Sequence, residues 1–403
     1  MGLGKTFVGA EKMTQIGNDV NLIVCQKSKI NDWMEHFQKF YSYIPEFTYD
    51  LTNRKQMGDF FNHVNCTDAT KESCFGIINY ELAWRRPELR NLTNFTLMLD
   101  ESSLIQNQKA KQTKFIMSLK PSNVILLSGT PTAGKYENLL TQCHLLGWDI
   151  SENAYNSQYV NWRKIEVGGF IHKIVDKRNP YKNVERLKSK LREHGAVFMK
   201  TEEAFELPEQ IFTKVMVQSS SDYRKFNKNK IIEIEGNELV GDTLLTERLY
   251  KKQLCGMYSK NKLQAFKDLV QSTNDRLIVF YNYTGELERM IEIVNELERP
   301  VSIVNGQDKN LSAYKHEDDS ITFVQFQAGA MGLNLQKANK IIYFTPPERS
   351  ELFEQSKKRI HRIGQTNTCF YYLLLVEKSI ETLEILPTLN LRKEYTDELF
   401  KED

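Results

Sequence analysis

The chain has 403 residues, which is too long for one ordinary hydrophobic core and favours two or three domains. Lys and Arg number 54 and Asp and Glu number 52, so the net charge of +2 neither requires nor excludes a nucleic-acid partner. The longest apolar run, 370–376, is far shorter than the ~20 residues of a membrane-spanning helix, so we expect no membrane partner. Six scattered cysteines without a CxxC pair predict free thiols in a reducing, cytoplasmic compartment.

The order of the predicted elements indicates two α/β halves. Short apolar runs alternate with helical stretches in each half, as in a parallel sheet with crossover helices. The runs are 22–25, 76–80, 95–99 and 124–128 in the first half, and 276–280, 302–304, 322–324 and 340–344 in the second. Between the halves, residues 150–260 are polar and helical in pattern. The predicted fold class is therefore α/β, with two parallel-sheet lobes and a helical connector.

The first six residues, MGLGKT, have the pattern of the closing half of a phosphate-binding loop. In such a loop, backbone N–H groups at a helix N-terminus hold phosphates, the lysine reaches the β and γ oxygens, and the Thr hydroxyl binds Mg²⁺. We therefore expect Gly2, Gly4, Lys5 and Thr6 to bind a nucleotide. Such a loop normally follows a buried strand, and none precedes Met1. This leads us to expect a first lobe truncated at its N-terminus, with the functional protein starting upstream.

An acidic pair, Asp100 and Glu101, directly follows the apolar run 95–99. Ligands of open α/β sheets bind at the carboxyl ends of the strands. There an Asp can hold Mg²⁺ and a Glu can orient or deprotonate the attacking water. A pair of acids at a strand end could equally cap the next helix. The Ser-Gly-Thr-Pro sequence at 128–131 falls at the same predicted edge and could also be only a turn.

Two segments of the second half have matching features. The small residues of QAGAMGLNL, 327–335, would let backbone N–H groups approach a phosphate, or form a flexible turn into a helix. The spacing of Gln355, Arg359 and Arg362 predicts one shared helical face. Two guanidinium groups aimed at one point suit a transferring phosphoryl group, although a solvated basic helix is the commoner meaning of such a run.

In this order, the segments resemble the Swi/Snf-type branch of helicase superfamily 2. Its motifs correspond here to MGLGKT, LIVCQKSKINDW, IINYE, LDESS, LSGTP, RLIVFYNY, QAGAMGLNL and QSKKRIHRIGQ. The resemblance covers nearly the whole chain, and the HRIGQ ending is highly specific to this branch. Ser103 stands where His is common, Gln26 replaces a usual Pro, and Ala330 replaces a usual Gly. These departures leave the catalytic residue types in place and suggest a compact bacteriophage or bacterial member.

The resemblance implies a P-loop NTPase fold of two RecA-like lobes, 1–200 and 259–403, joined by a helical connector, 201–258. It implies ATP and Mg²⁺ as cofactors, bound in the cleft between the lobes. By position, Lys5 and Thr6 hold phosphate and metal, Asp100 holds Mg²⁺, and Glu101 activates water. Arg359 and Arg362 then stabilise the transition state. Gln355 and Gly332 complete the nucleotide-binding set.

The resemblance further implies a monomeric motor that translocates on double-stranded DNA without separating its strands. Binding is expected to be independent of DNA sequence and sensitive to salt. The candidate DNA contacts are Lys27, Ser28, Asn79, Tyr80, Thr130, Asn282, Ala328 and Gly329. Three other functions remain open: a strand-separating helicase, a degenerate DNA-binding relative that needs no nucleotide, and a different P-loop enzyme. The paired segments 327–335 and 355–365 argue against the last.

Overall fold

The computed structural model describes residues 4–41, 44–66, 72–132, 134–167, 169–199, 205–329 and 333–399. These residues form two compact units, each with its own mainly parallel β-sheet. The first unit contains the described residues up to 199 and those from 395 onward, and the second contains those from 205 to 394. Within the described ranges, no helix combines the length and the apolar character that crossing a membrane requires.

The described chain alternates strands and helices. The strands are β1 (Val20–Cys25), β2 (Thr48–Asp50), β3 (Cys74–Asn79), β4 (Phe95–Asp100), β5 (Asn123–Leu127), β6 (Trp162–Val167), β7 (Phe170–Val175), β8 (Gln210–Val217), β9 (Ile231–Ile234), β10 (Asn237–Val240), β11 (Leu277–Tyr281), β12 (Val301–Val304), β13 (Lys309–Asn310), β14 (Ile321–Gln325), β15 (Lys340–Tyr343) and β16 (Cys369–Val376). The helices are α1 (Lys5–Ile16), α2 (Ile30–Phe40), α3 (Arg54–Val64), α4 (Tyr80–Ala83), α5 (Lys111–Ser118), α6 (Leu140–Leu145), α7 (Glu152–Tyr159), α8 (Val184–Glu193), α9 (Ser221–Asn229), α10 (Leu244–Cys255), α11 (Lys260–Gln271), α12 (Thr284–Glu296), α13 (Ser312–His316), α14 (Phe326–Gly329), α15 (Ser350–Lys357) and α16 (Leu386–Leu399).

The sheet of the first unit has five parallel strands in the order β2-β3-β1-β4-β5. The central strand β1 is buried on both faces: Leu22 and Val24 pack into one core cluster and Ile23 and Cys25 into another. Helix α1 packs closely on β4 and β5, and Gly9 permits this close approach. A Cβ atom at Gly9 would lie only 2.6 Å from a Leu127 methyl carbon of β5 and 2.8 Å from the Met98 sulfur of β4. The continuous apolar strands are therefore covered on both sides, as expected of a parallel sheet.

The sheet of the second unit has seven strands in the order β13-β12-β14-β11-β15-β16-β8. Every neighbouring pair is parallel except β12 with β13. Ile278 and Phe280 of β11 pack on one face, and Leu277 and Val279 pack on the other. All eight predicted strands are present, within two residues of their predicted ends, so the predicted α/β class with two parallel sheets is confirmed.

The structure differs from the prediction between 150 and 260. The described part of this segment contains four helices, but it also contains two antiparallel hairpins, β6–β7 and β9–β10, and the strand β8. Strand β8 pairs with β16 over its full length and completes the sheet of the second unit. The loop of the second hairpin is Glu235-Gly236, with positive φ at both positions, which is the turn that matches strand twist. These strands could not be predicted, because the segment is rich in Lys and Asn and lacks long apolar runs.

The predicted cysteine chemistry is confirmed for the described chain. All six cysteines are free thiols, and five of them, including Cys25, are buried. Burial raises the pKa of the Cys25 thiol well above its usual range, which keeps it in the unreactive protonated form.

Candidate functional site

Polar residues gather at the carboxyl edge of the sheet in the first unit. In register, Cys25 at the end of β1 lies opposite Asn79, and Asp100 at the end of β4 lies opposite Leu127. The predicted site residues that follow these parallel strands therefore share one edge, where ligands of such sheets bind. They are Lys27, Ser28, Asn79, Tyr80, Asp100, Glu101 and Thr130.

The N-terminus of α1 faces this acidic edge. The helix begins at Lys5, as the sequence indicates, and Gly4 precedes it in the left-handed region with φ of 68°. The Lys5 Nζ atom lies 3.9 Å from Glu101 Oε2, and the two side chains are 27% and 15% exposed. Thr6 lies half-buried in the first turn, and Gly2 lies outside the described residues. The structure thus brings the lysine of the first segment next to the glutamate of the second.

Glu101 has a strained backbone and a firmly held side chain. Its φ of 60° and ψ of 58° place a non-glycine residue in the left-handed region, at a cost of about 1–3 kcal/mol. Its Oε1 atom accepts hydrogen bonds from the Ser103 hydroxyl at 3.0 Å and the Ser128 hydroxyl at 2.9 Å. The side chain makes no hydrogen bond that caps the following 3₁₀ turn, so the capping alternative is not what the structure contains. The strain is the kind that functional sites retain.

Asp100 is held by two aromatic side chains. The Trp33 indole donates a hydrogen bond to Asp100 Oδ2 at 3.0 Å, and the Tyr80 hydroxyl donates to the Asp100 carbonyl oxygen at 3.0 Å. Burial raises the pKa of the Asp100 carboxyl, while the Trp33 hydrogen bond and the Lys5 charge oppose that rise. Trp33 ends the segment LIVCQKSKINDW, but its contact with Asp100 could not be predicted, because the two residues lie 67 positions apart along the chain.

The residues at this edge fit a magnesium ion. Mg²⁺ prefers oxygen ligands, keeps several waters, and is usually bound through one or two carboxylates together with substrate phosphates. Asp100 Oδ1 accepts no hydrogen bond from any described residue, so that oxygen is available to a metal-bound water. Thr6 offers a hydroxyl in the first turn of α1. No group of three acidic, His or Cys side chains in the described ranges could hold a metal alone.

A buried amide network links the segments that follow β4 and β5. The Ser102 hydroxyl donates to Gln142 Oε1 at 2.9 Å, and the Gln142 amide donates to the Pro131 carbonyl oxygen at 2.8 Å. The Gln106 amide donates to the same carbonyl oxygen at 3.1 Å. These glutamines lie outside every motif, so sequence reasoning missed them. Their contacts fix the Ser-Gly-Thr-Pro turn against the segment that carries Glu101.

The candidate DNA contacts of the first unit differ in exposure. Lys27 is exposed and Ser28 half-buried, both in a 3₁₀ turn after β1. Asn79 and Thr130 are buried, and the amide of Asn79 donates to Glu81 at 2.6 Å. Tyr80 is only 1% exposed, and its hydroxyl donates a hydrogen bond to the Asp100 carbonyl oxygen. The structure therefore leaves Lys27 and Ser28 at the surface and places the other three inside the unit.

The arginines of the second unit are not on one helix, so the prediction of a shared helical face with Gln355 is wrong. Helix α15 contains the buried Gln355 but ends at Lys357, and Arg359 and Arg362 lie in the turns that follow. The physical reason is tertiary hydrogen bonding. The carbonyl oxygen of Arg359 accepts from the Leu335 N–H at 3.1 Å instead of from a continuing helix.

The turns after α15 are fastened to the end of the segment 327–335. The Arg362 guanidinium donates to Asn334 Oδ1, and burial lowers the pKa of Arg362. The buried Gln365 amide donates to the carbonyl oxygens of Gln336 and Ala338 at 3.1 and 2.9 Å. The segment of small residues, 327–335, and the basic segment, 355–365, therefore contact each other. Gly332 lies outside the described residues.

The remaining candidate DNA contacts lie at the carboxyl edge of the second sheet. The Asn282 amide donates to Thr345 Oγ1 at 2.9 Å and to the Pro346 carbonyl oxygen at 3.2 Å. Ala328 is buried in α14, and Gly329 ends that helix. Asn282 thus organises the loop after β15 in this structure.

Comparison with known protein families settles the relationship. A model of the SNF2-related domain matches residues 1–269, and a model of the helicase conserved C-terminal domain matches residues 261–364. The chain belongs to the SNF2-related family. The family resemblance predicted from the sequence motifs is confirmed.

Individual relatives are distant. A putative ATP-dependent helicase/translocase, YwqA of Bacillus subtilis, is 24% identical and aligns with 97% of this chain and 45% of its own length. ATP-dependent DNA helicase DDM1 of Arabidopsis thaliana is 22% identical over 95% of this chain and 56% of its own length. The SWI2/SNF2 ATPase core of Sulfolobus solfataricus, solved with double-stranded DNA, aligns with 98% of this chain and 86% of that chain, with 19% identity and a TM-score of 0.43. The chain spans about half the length of these curated relatives.

Proposed function

We propose that this protein is a DNA motor that hydrolyses ATP to ADP and phosphate on binding double-stranded DNA. It translocates along the duplex without separating the strands, and it acts as a monomer. The observation that carries this proposal is the orientation of Glu101 beside Lys5 at the N-terminus of α1. Membership of the SNF2-related family supports ATP as the nucleotide, and the names of the Bacillus and Arabidopsis relatives support DNA as the track.

The proposed mechanism follows from the contacts of Glu101. The Ser103 and Ser128 hydroxyls engage Oε1, so Oε2 is the oxygen left to act on water. The Lys5 ammonium group lies near Oε2, and the phosphates of ATP would compete for that charge. Nucleotide binding would therefore free Oε2 to orient the attacking water and accept its proton. The bond from the water oxygen to the γ-phosphorus would form as the bond from the γ-phosphorus to the β–γ bridging oxygen breaks, and ADP leaves with that oxygen.

The other residues hold charge in place. The N-terminus of α1 and Lys5 bind the phosphates, and Gly2 and Gly4 shape the loop. Thr6 and Asp100 would hold Mg²⁺, which supplies charge neutralisation on the phosphate oxygens when bound. Gln355 and Gly332 bind nucleotide, and Arg359 and Arg362 stabilise the charge of the transition state. DNA is held through its phosphates, so binding is independent of sequence.

Phosphate release measured with and without duplex DNA tests the proposal. We expect duplex DNA to stimulate turnover by the native chain and Lys5→Ala to abolish the stimulated reaction. A third strand annealed to the duplex should be displaced during hydrolysis, since its removal requires translocation but no unwinding. Robust separation of the duplex itself would favour a true helicase. DNA binding without any turnover would favour a degenerate relative that needs no nucleotide.

Trp33→Phe is expected to weaken the use of Mg²⁺ by the site. The change keeps the packed ring but removes the N–H that holds Asp100 Oδ2. Loss of an outer contact to a metal ligand typically costs 10- to 100-fold in metal affinity or activity, so the Mg²⁺ concentration for half-maximal hydrolysis should rise by about that factor. A titration of MgCl₂ at fixed ATP measures it.

Trp84→Phe provides the matched control. Trp84 is a half-buried indole of the same unit, and the Arg85 and Lys111 cations lie over its ring. It should leave the Mg²⁺ requirement unchanged. The indole N–H resonance of Trp33 gives a readout independent of activity: it should move when Asp100 is replaced by Asn. A normal Mg²⁺ requirement in Trp33→Phe would show that this hydrogen bond does not position Asp100.

A further inference from the structure

The hairpin β6–β7 of the first unit exposes apolar side chains to solvent. Trp162, Phe170 and Ile171 are 42%, 73% and 72% exposed. The hairpin is a separate two-stranded sheet, and such a ribbon has too little buried surface to be more than marginally stable by itself in water. Apolar groups of this size and exposure on an isolated ribbon indicate a surface that contacts something else.

One face of the hairpin combines two of these groups, Trp162 and Ile171, with two cations. The strand register places Trp162 opposite Val175, Lys164 opposite Lys173, and Glu166 opposite Ile171. Side chains alternate between faces along a strand, so these three pairs lie on the same face. Like charges directly opposite one another destabilise a ribbon. Glu166 shares this face, but neither lysine forms an ion pair with it or with any other described residue.

Positive charge is concentrated in the hairpin and the three residues that follow it, relative to the whole chain. Residues 162–178 contain five Lys or Arg residues and two acids, which gives a formal charge of +3, whereas the entire chain carries +2. Cations interleaved with exposed aromatic rings are the pattern of surfaces that bind nucleic-acid strands. An acidic protein would satisfy the lysines but gives no reason for a tryptophan beside them.

We propose that this face of the β6–β7 hairpin is a DNA-binding surface outside the sheet edges. Lys164 and Lys173 each contact a backbone phosphate, and the Trp162 ring packs against the adjoining sugar or base. The proposal deepens the proposed function and rests on it, since it adds contacts to the same duplex. Bound phosphates would remove the repulsion between the two lysines, so the hairpin would become more rigid on DNA.

Lys164→Glu tests this surface without disrupting the hairpin. The substitution places opposite charges across the strands, so it relieves the repulsion and stabilises the ribbon. It also removes one phosphate contact and engages Lys173 in an internal pair. The binding constant for duplex DNA falls with salt at a logarithmic slope of about −0.9 for each neutralised phosphate. We therefore expect the slope to become shallower by about 1.8 when both contacts are lost.

Fluorescence anisotropy of a labelled duplex over a KCl series measures the slope. Lys120→Glu provides the same charge change on an exposed lysine of the same unit outside the hairpin, and should leave the slope unchanged. Equal slopes for native protein and Lys164→Glu, or equal effects of the two variants, would overturn the hairpin proposal while DNA-stimulated hydrolysis by the native chain stands. Failure of the native chain to bind or respond to DNA would instead overturn both proposals.

Discussion

Glu101→Gln is expected to reduce DNA-stimulated ATP hydrolysis by about 100- to 10,000-fold, the range that a general base contributes. The amide oxygen can still accept the hydrogen bonds that Ser103 and Ser128 donate to Oε1. The side chain therefore keeps its place, but it can no longer accept a proton or pair with the Lys5 ammonium group. Single-turnover phosphate release measures the chemical step, and binding of a fluorescent ATP analogue should stay within a few-fold of native.

Glu11→Gln is the matched control for this loss. Glu11 lies on the exposed side of α1, where its carboxylate accepts a hydrogen bond from the Gln15 amide, and it has no role in the proposed mechanism. It should hydrolyse ATP at the native rate. If Glu101→Gln hydrolysed ATP within ten-fold of native, proton acceptance by Glu101 would be excluded, and the strained backbone at this position would need another explanation.

The sheets could be predicted because their strands are local features. A strand buried on both faces, such as β1 or β11, is a continuous apolar run and needs no knowledge of its neighbours. Strand β8 could not be recognised in this way, since Phe212 and Met216 remain exposed at the sheet edge. The run 370–376 was apolar enough to be noticed, but its role as β16 depends on pairing with β15 and β8.

In the candidate site, too, local features could be predicted and long-range contacts could not. Lys5, Asp100 and Glu101 could be assigned because each lies at the end of a predictable element. Ser103 is a local partner of Glu101, but the other hydrogen bonds to the two carboxylates come from Trp33 and Ser128, which are 67 and 27 residues away from their partners. Those contacts depend on the order of strands in the sheet, which periodicity does not provide. Spacing also failed at Arg359, because a tertiary hydrogen bond ended the helix that spacing alone would have continued.

Lys262→Met is expected to destabilise the second unit by about 3–5 kcal/mol, the usual cost of removing one partner from a buried ion pair. Lys262 Nζ on α11 lies 2.6 and 2.7 Å from the two carboxylate oxygens of Glu381, and the side chains are 0% and 1% exposed. Glu381 also accepts the Val376 N–H at 2.9 Å, so the pair ties α11 to the end of β16. Without the lysine, the carboxylate would be buried and uncompensated.

The sign of the pH dependence follows from the same burial. Burial raises the pKa of the Glu381 carboxyl, and Lys262 opposes that rise. In Lys262→Met the folded-state pKa moves higher still above its unfolded value, so the folded state favours the protonated acid. The stability deficit should therefore be small below the unfolded pKa and grow as the pH rises towards the folded-state pKa.

Unfolding of the second unit can be followed separately, because all four tryptophans, at 33, 84, 148 and 162, lie in the first unit. Circular dichroism and hydrogen exchange at β16 should report the loss while tryptophan fluorescence should not. Lys267→Met is the control on the same helix: its partner Glu296 is 62% exposed, so the cost should be about 0–1 kcal/mol. Lys262→Met combined with Glu381→Leu should recover most of the lost stability, because no charge is left buried. Equal losses in the single and double variants would mean that packing of the lysine stem, and not its charge, holds α11 against β16.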